Sequence, residues 1–247
     1  MNSIINEINI KGYSTKLSLK LEELKFIRNL IENQAYDHIF NNSKNTIQDI
    51  KKERNLSNYH LDHSDLDHSK IWKKNSRILF KEDALKFKKQ KFFNKLNSIF
   101  GEFLVSDEQN LGYENFVWRI VRPNSKNDIG PPHRDCWFWN LNPDFPGPNF
   151  EFFRIKVWIP IYCEYGLSGL AIEPFSHKRF DIDYDSIYLD GIHKPRIKKD
   201  QKINLKLIKS KPGEAIIFHD KLLHCGMNKI EATNTRVSIE FTLLIKI

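Results

Sequence analysis

The spacing of apolar residues changes near Phe100. Between Leu19 and about Ile39, Leu24, Ile27, Leu30 and Ile31 return every three or four positions. Ser18 stands where a side chain can accept a first-turn amide, so the spacing predicts a helix with Ser18 as its N-cap. Leu85, Phe92, Phe93, Leu96, Ile99 and Phe100 repeat the same step and predict a second helix through the segment that opens at residue 70, with one apolar stripe inside and lysines outside. Between Asn41 and Lys70 the chain is polar, including the run YHLDHSDLDHSK, which reads as a surface loop. Beyond Phe100 the alternation shortens to two. ENFVWRIV, FEFFRIKVWIPI, GLAIEP, EAIIFH and TRVSIEFTLLIK are short runs divided by PNSKNDIGPP, NPDFPGPN and KPG. Five or more strands without helical runs between them predict an antiparallel sandwich or barrel. The layout is mainly β with flanking helices. It reads as a single domain over 1–247, a helical N-terminal portion (1–105) packed on a β core (106–247).

Composition narrows the class. With 40% apolar and 13% aromatic residues in 247, a sizeable core can be buried. A mean hydropathy of −0.53 excludes a membrane bundle or a disordered tail. No run approaches the roughly 18 apolar residues of a membrane span, and the first residues lack a secretory apolar segment. Cys136, Cys163 and Cys225 are odd in number and fit a reducing, cytoplasmic setting. The net charge of +8 is uneven. Residues 70–95 hold ten Lys and Arg against Glu82 and Asp83, whereas residues 101–247 are almost neutral. Lysines without interleaved exposed aromatics or arginines are a weak binding signature, so they read as a solvated face and nucleic acid is not an expected partner.

The candidate chemistry lies in the neutral half. On an extended chain, His133 and Asp135 point to one face. The same pair occurs at His60/Asp62 and His63/Asp65, but inside the hydrophilic run with no strand pattern around it. His133 and Asp135 differ in having His224 downstream, in the turn KLLHCG after the strand EAIIFH. Two histidines and a carboxylate make the facial triad that holds non-haem Fe(II) with positions left open. Arg236 and Ser238 follow on one strand face, a guanidinium fork beside a hydroxyl, suited to a carboxylate. His219 competes with His224 as third ligand, but ends the apolar strand and lacks the His-x-Gly turn. Lys156 shares a strand face with Arg154 and Trp158 and is either a second contact to an acidic co-substrate or an exposed charge. Trp137, on the ligands' strand face, either walls a substrate pocket or belongs to the core, and His177 either lines that pocket or hydrogen-bonds in the core. Nothing around Cys136 and Cys225 points to a catalytic thiol.

Three stretches, GPPHRDCWF, RIKVWIPIYCEYGLSGLAIEPFSHK and KPGEAIIFHDKLLHCGMNKIEATNTRVSIEF, carry a resemblance over about residues 112–247. The chain resembles the Fe(II)/2-oxoglutarate-dependent dioxygenases, more narrowly their phytanoyl-CoA dioxygenase-like branch. The resemblance implies a double-stranded β-helix core of the jelly-roll, cupin-like kind. It also implies iron on His133, Asp135 and His224, and 2-oxoglutarate held by Arg236 with Ser238 assisting. The implied reaction consumes O2 and releases succinate and CO2 while hydroxylating a small-molecule metabolite. In related halogenases a small residue replaces the ligand carboxylate, so Asp135 favours hydroxylation, with desaturation or epimerisation still open. Two other readings stand beside this one: a non-catalytic cupin-like binding protein, and a nucleic-acid oxidative demethylase. The latter would be expected to carry a second arginine six residues past the first, where this chain has Thr242. Substrate contacts are expected from Asn140 to Asn149 and from Phe175 to Asp200, and the run DIDYDS followed by KPRIKK reads as a lid or a long surface loop.

Overall fold

The computed structural model describes residues 3–42, 55–142, 152–189 and 192–246. In chain order its helices and strands are α1 (Ser3–Lys11), β1 (Tyr13–Ser18), α2 (Leu21–Asn42), α3 (Tyr59–Asp62), α4 (His68–Ile71), α5 (Lys81–Lys88), α6 (Lys91–Phe100), β2 (Phe103–Val105), β3 (Val117–Val121), α7 (Asp135–Leu141), β4 (Phe152–Tyr162), β5 (Ser168–Ile172), β6 (Tyr184–Leu189), β7 (Ile192–Ile197), β8 (Lys206–Leu207), β9 (Glu214–His219), β10 (His224–Asn228) and β11 (Arg236–Lys246).

Two antiparallel sheets dominate. The major sheet runs β1-β9-β4-β11-β2, with β3 also paired to β11; the minor sheet runs β10-β5-β8; β6 and β7 form a separate hairpin. The long strands β4 and β11 pair from Val237↔Tyr162 to Lys246↔Phe152 and are the spine of the major sheet. Their side chains alternate with period two. Ile155, Val157, Ile159 and Ile161 of β4 and Val237, Ile239, Phe241 and Leu243 of β11 turn outward. There they join Leu30, Ile31, Ile39, Phe87, Phe92 and Leu96 of the helices in one apolar cluster. Each such side chain contributes about 1.5–3 kcal/mol by leaving water. The opposite faces of the same strands turn toward the minor sheet and carry Arg236, Ser238, Glu240, Thr242, Lys156 and Trp158. Trp158, Ile216, Phe218, Leu170, Ile172 and Leu222 close the space between the sheets.

Several expectations need correction. The N-terminal portion is not wholly helical: β1 pairs with β9, and β2 with β11. Ser18 ends β1, opposite Glu214, instead of capping α2. The side chain of Glu23 reaches back to the Lys20 amide at 2.7 Å, one half of a capping box. The basic segment is not one helix but α4, α5 and α6. Gln90 is extended between the last two. In a straight helix Phe87 and Phe92 would point about 140° apart. The break lets both reach the cluster in which Phe87 meets Phe116 and Phe241. The hydrophilic run contains α3 and α4, with Tyr59 and His68 buried. The stretch read as a lid or loop is the β6–β7 hairpin, tied by Arg196 to Asp185. Most of the expected substrate loop, residues 143–149, lies outside the described residues. Among the described residues no helix is long and apolar enough to cross a membrane.

Candidate metal centre and its surroundings

Pro131 and Pro132 keep the chain extended as it enters the site, and His133 forms an isolated antiparallel bridge with His224, each amide donating 3.0 Å to the other's carbonyl. This bridge sets the two imidazoles side by side, with ring centroids 4.5 Å apart. Asp135 is not on the same strand. It is the first residue of α7, an acidic residue suited to a helix N-terminus, and the turn into the helix swings its carboxylate back. Asp135 Oδ1 lies 3.7 Å from His133 Nε2 and 3.9 Å from His224 Nε2. Ligand atoms of the three residues all lie within 4.8 Å of one another, and among the described residues no other group of His, Cys, Asp and Glu converges in this way.

The remaining contacts prepare these atoms to bind a cation. His133 Nδ1 sits 2.8 Å from the Pro131 carbonyl and His224 Nδ1 3.0 Å from the Leu222 carbonyl. A carbonyl only accepts, so both Nδ1 atoms carry the proton and both Nε2 lone pairs face the cluster. Burial, then the neighbouring His224, pushes His133 down to about 4, which leaves the ring neutral near pH 7. Burial would raise the Asp135 carboxyl, but Lys156 and the two histidines outweigh it and hold it below the usual carboxylate range. Asp135 Oδ2 is buried without a hydrogen-bond partner, an orphan that a bound cation would satisfy. The donor set therefore fits a divalent iron ion.

Arg236 lies one step along the same wall. Gly226, two residues after His224 on β10, faces it: a Cβ added at Gly226 would stand 2.8 Å from Arg236 Nη2. Two strand residues span about 7 Å. Arg236 is 2% exposed and has no carboxylate partner among the described residues. Its Nη1 donates to Ser238 Oγ at 3.4 Å, its Nε has no partner, and it lies over the Trp158 ring at 5.7 Å. Burial, aided by the charge of Arg119, lowers it to about 10. A buried guanidinium without a counter-ion is costly, and an anionic ligand removes the cost.

The other candidates separate. Lys156 stands opposite Thr242, six residues and about 20 Å of strand from Arg236. It pairs with Glu108 at 3.6 Å and Thr242 Oγ1 at 3.4 Å. His219 does not reach the cluster. Alternation puts it on the face of β9 opposite Phe218, whose ring meets His224 at 4.7 Å, and it contacts Phe153 and His177 instead. His177 lies on that far side too, 3.3 Å from the Asn9 carbonyl. Trp137 packs on Tyr184 at 4.4 Å among Cys136, Ile182 and Leu223, away from the ligands. In a helix the residues sharing a side with Asp135 are three and four positions on. Phe138 meets His133 edge-on at 5.5 Å, and Trp139 lies under Arg154 at 5.1 Å. Reading this stretch as a strand missed both. Cys136 and Cys225 are buried thiols pushed up to about 12 and about 11, far from thiolate chemistry.

No protein-family model matches the sequence, and no curated protein matches it by sequence. Solved structures do match. EctD from S. alaskensis, solved with 2-oxoglutarate and 5-hydroxyectoine, aligns with a TM-score of 0.60 at 12% identity over 99% of this chain and 76% of its own. The non-heme monooxygenase ThoJ aligns with a TM-score of 0.58 at 11% identity over 99% and 84%. The epimerase SnoN, in complex with Fe3+, alpha ketoglutarate and nogalamycin RO, aligns at 0.53 and 10% identity over 98% and 82%. The two sheets and their helical cover are thus the cupin-like fold of these proteins, the double-stranded β-helix expected from the sequence.

Proposed function

We propose that this protein is an Fe(II)- and 2-oxoglutarate-dependent oxygenase that hydroxylates a small-molecule metabolite. One observation carries the reading: three converging ligands of facial-triad type stand one strand step from a buried arginine that lacks a counter-ion. EctD with 2-oxoglutarate and SnoN with Fe3+ and alpha ketoglutarate support the same choice of groups.

In this reading His133, Asp135 and His224 hold the metal, and Arg236 with Ser238 holds the far carboxylate of 2-oxoglutarate. The bound iron supplies O2 activation coupled to decarboxylation, with succinate and CO2 as co-products. The chain supplies geometry. The carbonyls of Pro131 and Leu222 fix both imidazole tautomers, so the ligands do not reorganise on binding. Phe218 and Phe138 flank the histidines and limit water at the reacting face. Asp135 fills the position that halide transfer would need open, which favours hydroxylation. The three free cysteines suit a reducing, cytoplasmic setting, and the apolar cluster shared by helices and major sheet suits one domain.

The test is metal content followed by turnover. Protein reconstituted without oxygen should hold one Fe(II) per chain, and with O2 and 2-oxoglutarate should release succinate above a metal-free control. Iron retained equally by His133→Ala, or no succinate above that control with any metabolite supplied, would overturn the proposal.

A further inference from the structure

A second set of charges lies on the cavity face of the major sheet, alongside Arg236. Arg119 of β3 is opposite Ser238 of β11, so its side chain leaves the sheet on the same side as Arg236 and Glu240. Its neighbours Trp118 and Ile120 point the other way, into the helix-side cluster. A residue on this inward face should be covered, yet the Arg119 side chain is 45% exposed, so it borders an open space. Nε and Nη2 of Arg119 both donate to a single oxygen of Glu240, at 2.9 and 2.7 Å. That occupies the side-on edge of the guanidinium and leaves its Nη1/Nη2 end as an unused fork. Next to it Lys156 is 7% exposed and held by two long contacts, Glu108 at 3.6 Å and Thr242 at 3.4 Å.

This set belongs to the metal's neighbourhood. Lys156 stands opposite Phe218 across the β4–β9 pairing, and the Phe218 ring meets His224 at 4.7 Å; Glu240, which braces Arg119, stands opposite Trp158, two residues along β4 from Lys156. Lys156 and Arg119 are therefore close enough to a group bound at the triad to select it. The walls are charged and hydrogen-bonding, which is unfavourable for a long acyl chain.

We propose that Arg119, braced by Glu240, and the Lys156–Glu108 pair form the primary-substrate subsite, and that it takes a polar metabolite bearing a carboxylate, which Arg119 grips with its free Nη1/Nη2 fork. Arg119 is then a specificity-determining residue, distinct from Arg236, which serves the co-substrate. The inference rests on the function proposed above.

The experiment uses iron-loaded protein and a panel of carboxylate-bearing polar metabolites, their amide or ester counterparts, and long-chain acyl compounds. Succinate release is measured for wild type, Arg119→Met and Arg119→Lys. Binding of 2-oxoglutarate without oxygen is measured in parallel by calorimetry. Stimulation by a carboxylate compound and not by its amide is expected. In Arg119→Met the KM for that compound should rise at least tenfold, with partial recovery in Arg119→Lys and with 2-oxoglutarate binding within twofold of wild type. Four outcomes would overturn the inference: stimulation by acyl compounds instead, no stimulation by any carboxylate compound, unchanged KM in Arg119→Met, or loss of 2-oxoglutarate binding in that variant. The last would assign Arg119 to the co-substrate. If wild type binds neither iron nor 2-oxoglutarate, it is the function itself that fails.

Discussion

Replacing Arg236 with methionine should move stability and binding in opposite directions. In the ligand-free protein the guanidinium is 2% exposed, its Nε is unpartnered and no carboxylate faces it. Burial has already lowered it to about 10, a sign that the charged form is poorly accommodated. Exchanging a buried ionic group for an apolar one of similar length commonly stabilises by about 1–4 kcal/mol. For a chain of 247 residues that corresponds to a rise in Tm of about 2–4 °C per kcal/mol. The co-substrate loses two charge-assisted hydrogen bonds of about 1.5–3 kcal/mol each. Its affinity should fall by at least about a hundredfold. Thermal unfolding of metal-free protein checks the first effect and calorimetric titration of 2-oxoglutarate into metal-loaded protein the second. Wild type at a hundredfold excess over Kd should gain about 2.7 kcal/mol from the ligand, and the variant at the same concentration about 0.4 kcal/mol or less. A variant that is less stable when empty, or that binds 2-oxoglutarate as tightly as wild type, would refute the reasoning that Arg236 awaits an anion.

Gly226→Ala places a methyl 2.8 Å from Arg236 Nη2, so the guanidinium must shift. The expected result is a tenfold or greater loss of 2-oxoglutarate affinity with iron binding intact, read by the same titration. Trp137→Ala removes a buried ring stacked on Tyr184 and should cost about 3–5 kcal/mol in urea unfolding, whereas Trp139→Ala, on the Asp135 side of α7, should cost far less and act on turnover. His133 and His68 are both lowered to about 4, chiefly by burial, while an unfolded histidine titrates near 6.5. Between those values the unfolded chain binds more protons than the folded one. Stability of the metal-free protein should therefore fall as pH drops from about 6.5 to about 4, by up to about 3 kcal/mol per residue. Urea unfolding at stepped pH checks this, and His68→Gln should reduce the slope by one proton.

Much of the core was legible because β4 and β11 place apolar residues at every second position, Ile155 to Ile161 and Val237 to Leu243, while β9 is a short continuous apolar run, and both patterns survive folding. Strand alternation separates His219 from His224, because Phe218 and His219 cannot face the same side. What escaped lacked that signal. β1, YSTKLS, has only Ser14 and Leu17 buried, and β6 and β7 carry charge without a clean period. The His133–Asp135 pair was found, but through a mistaken geometry. A strand was expected where a seven-residue helix begins at Asp135, so Trp137 was put on the ligand side in place of Phe138 and Trp139. Arg119 gave no sequence signal at all. Its relation to Glu240 and the triad comes from the β3–β11 register, which joins residues 121 positions apart.

The central claim is that His133, Asp135 and His224 hold Fe(II) with positions left open for 2-oxoglutarate. Visible absorption under anaerobic conditions tests it most directly. Adding Fe(II) and then 2-oxoglutarate to wild type should produce a weak charge-transfer band that saturates at one equivalent of each, and His133→Ala should show none. No band with wild type, or an equal band with His133→Ala, would contradict the assignment.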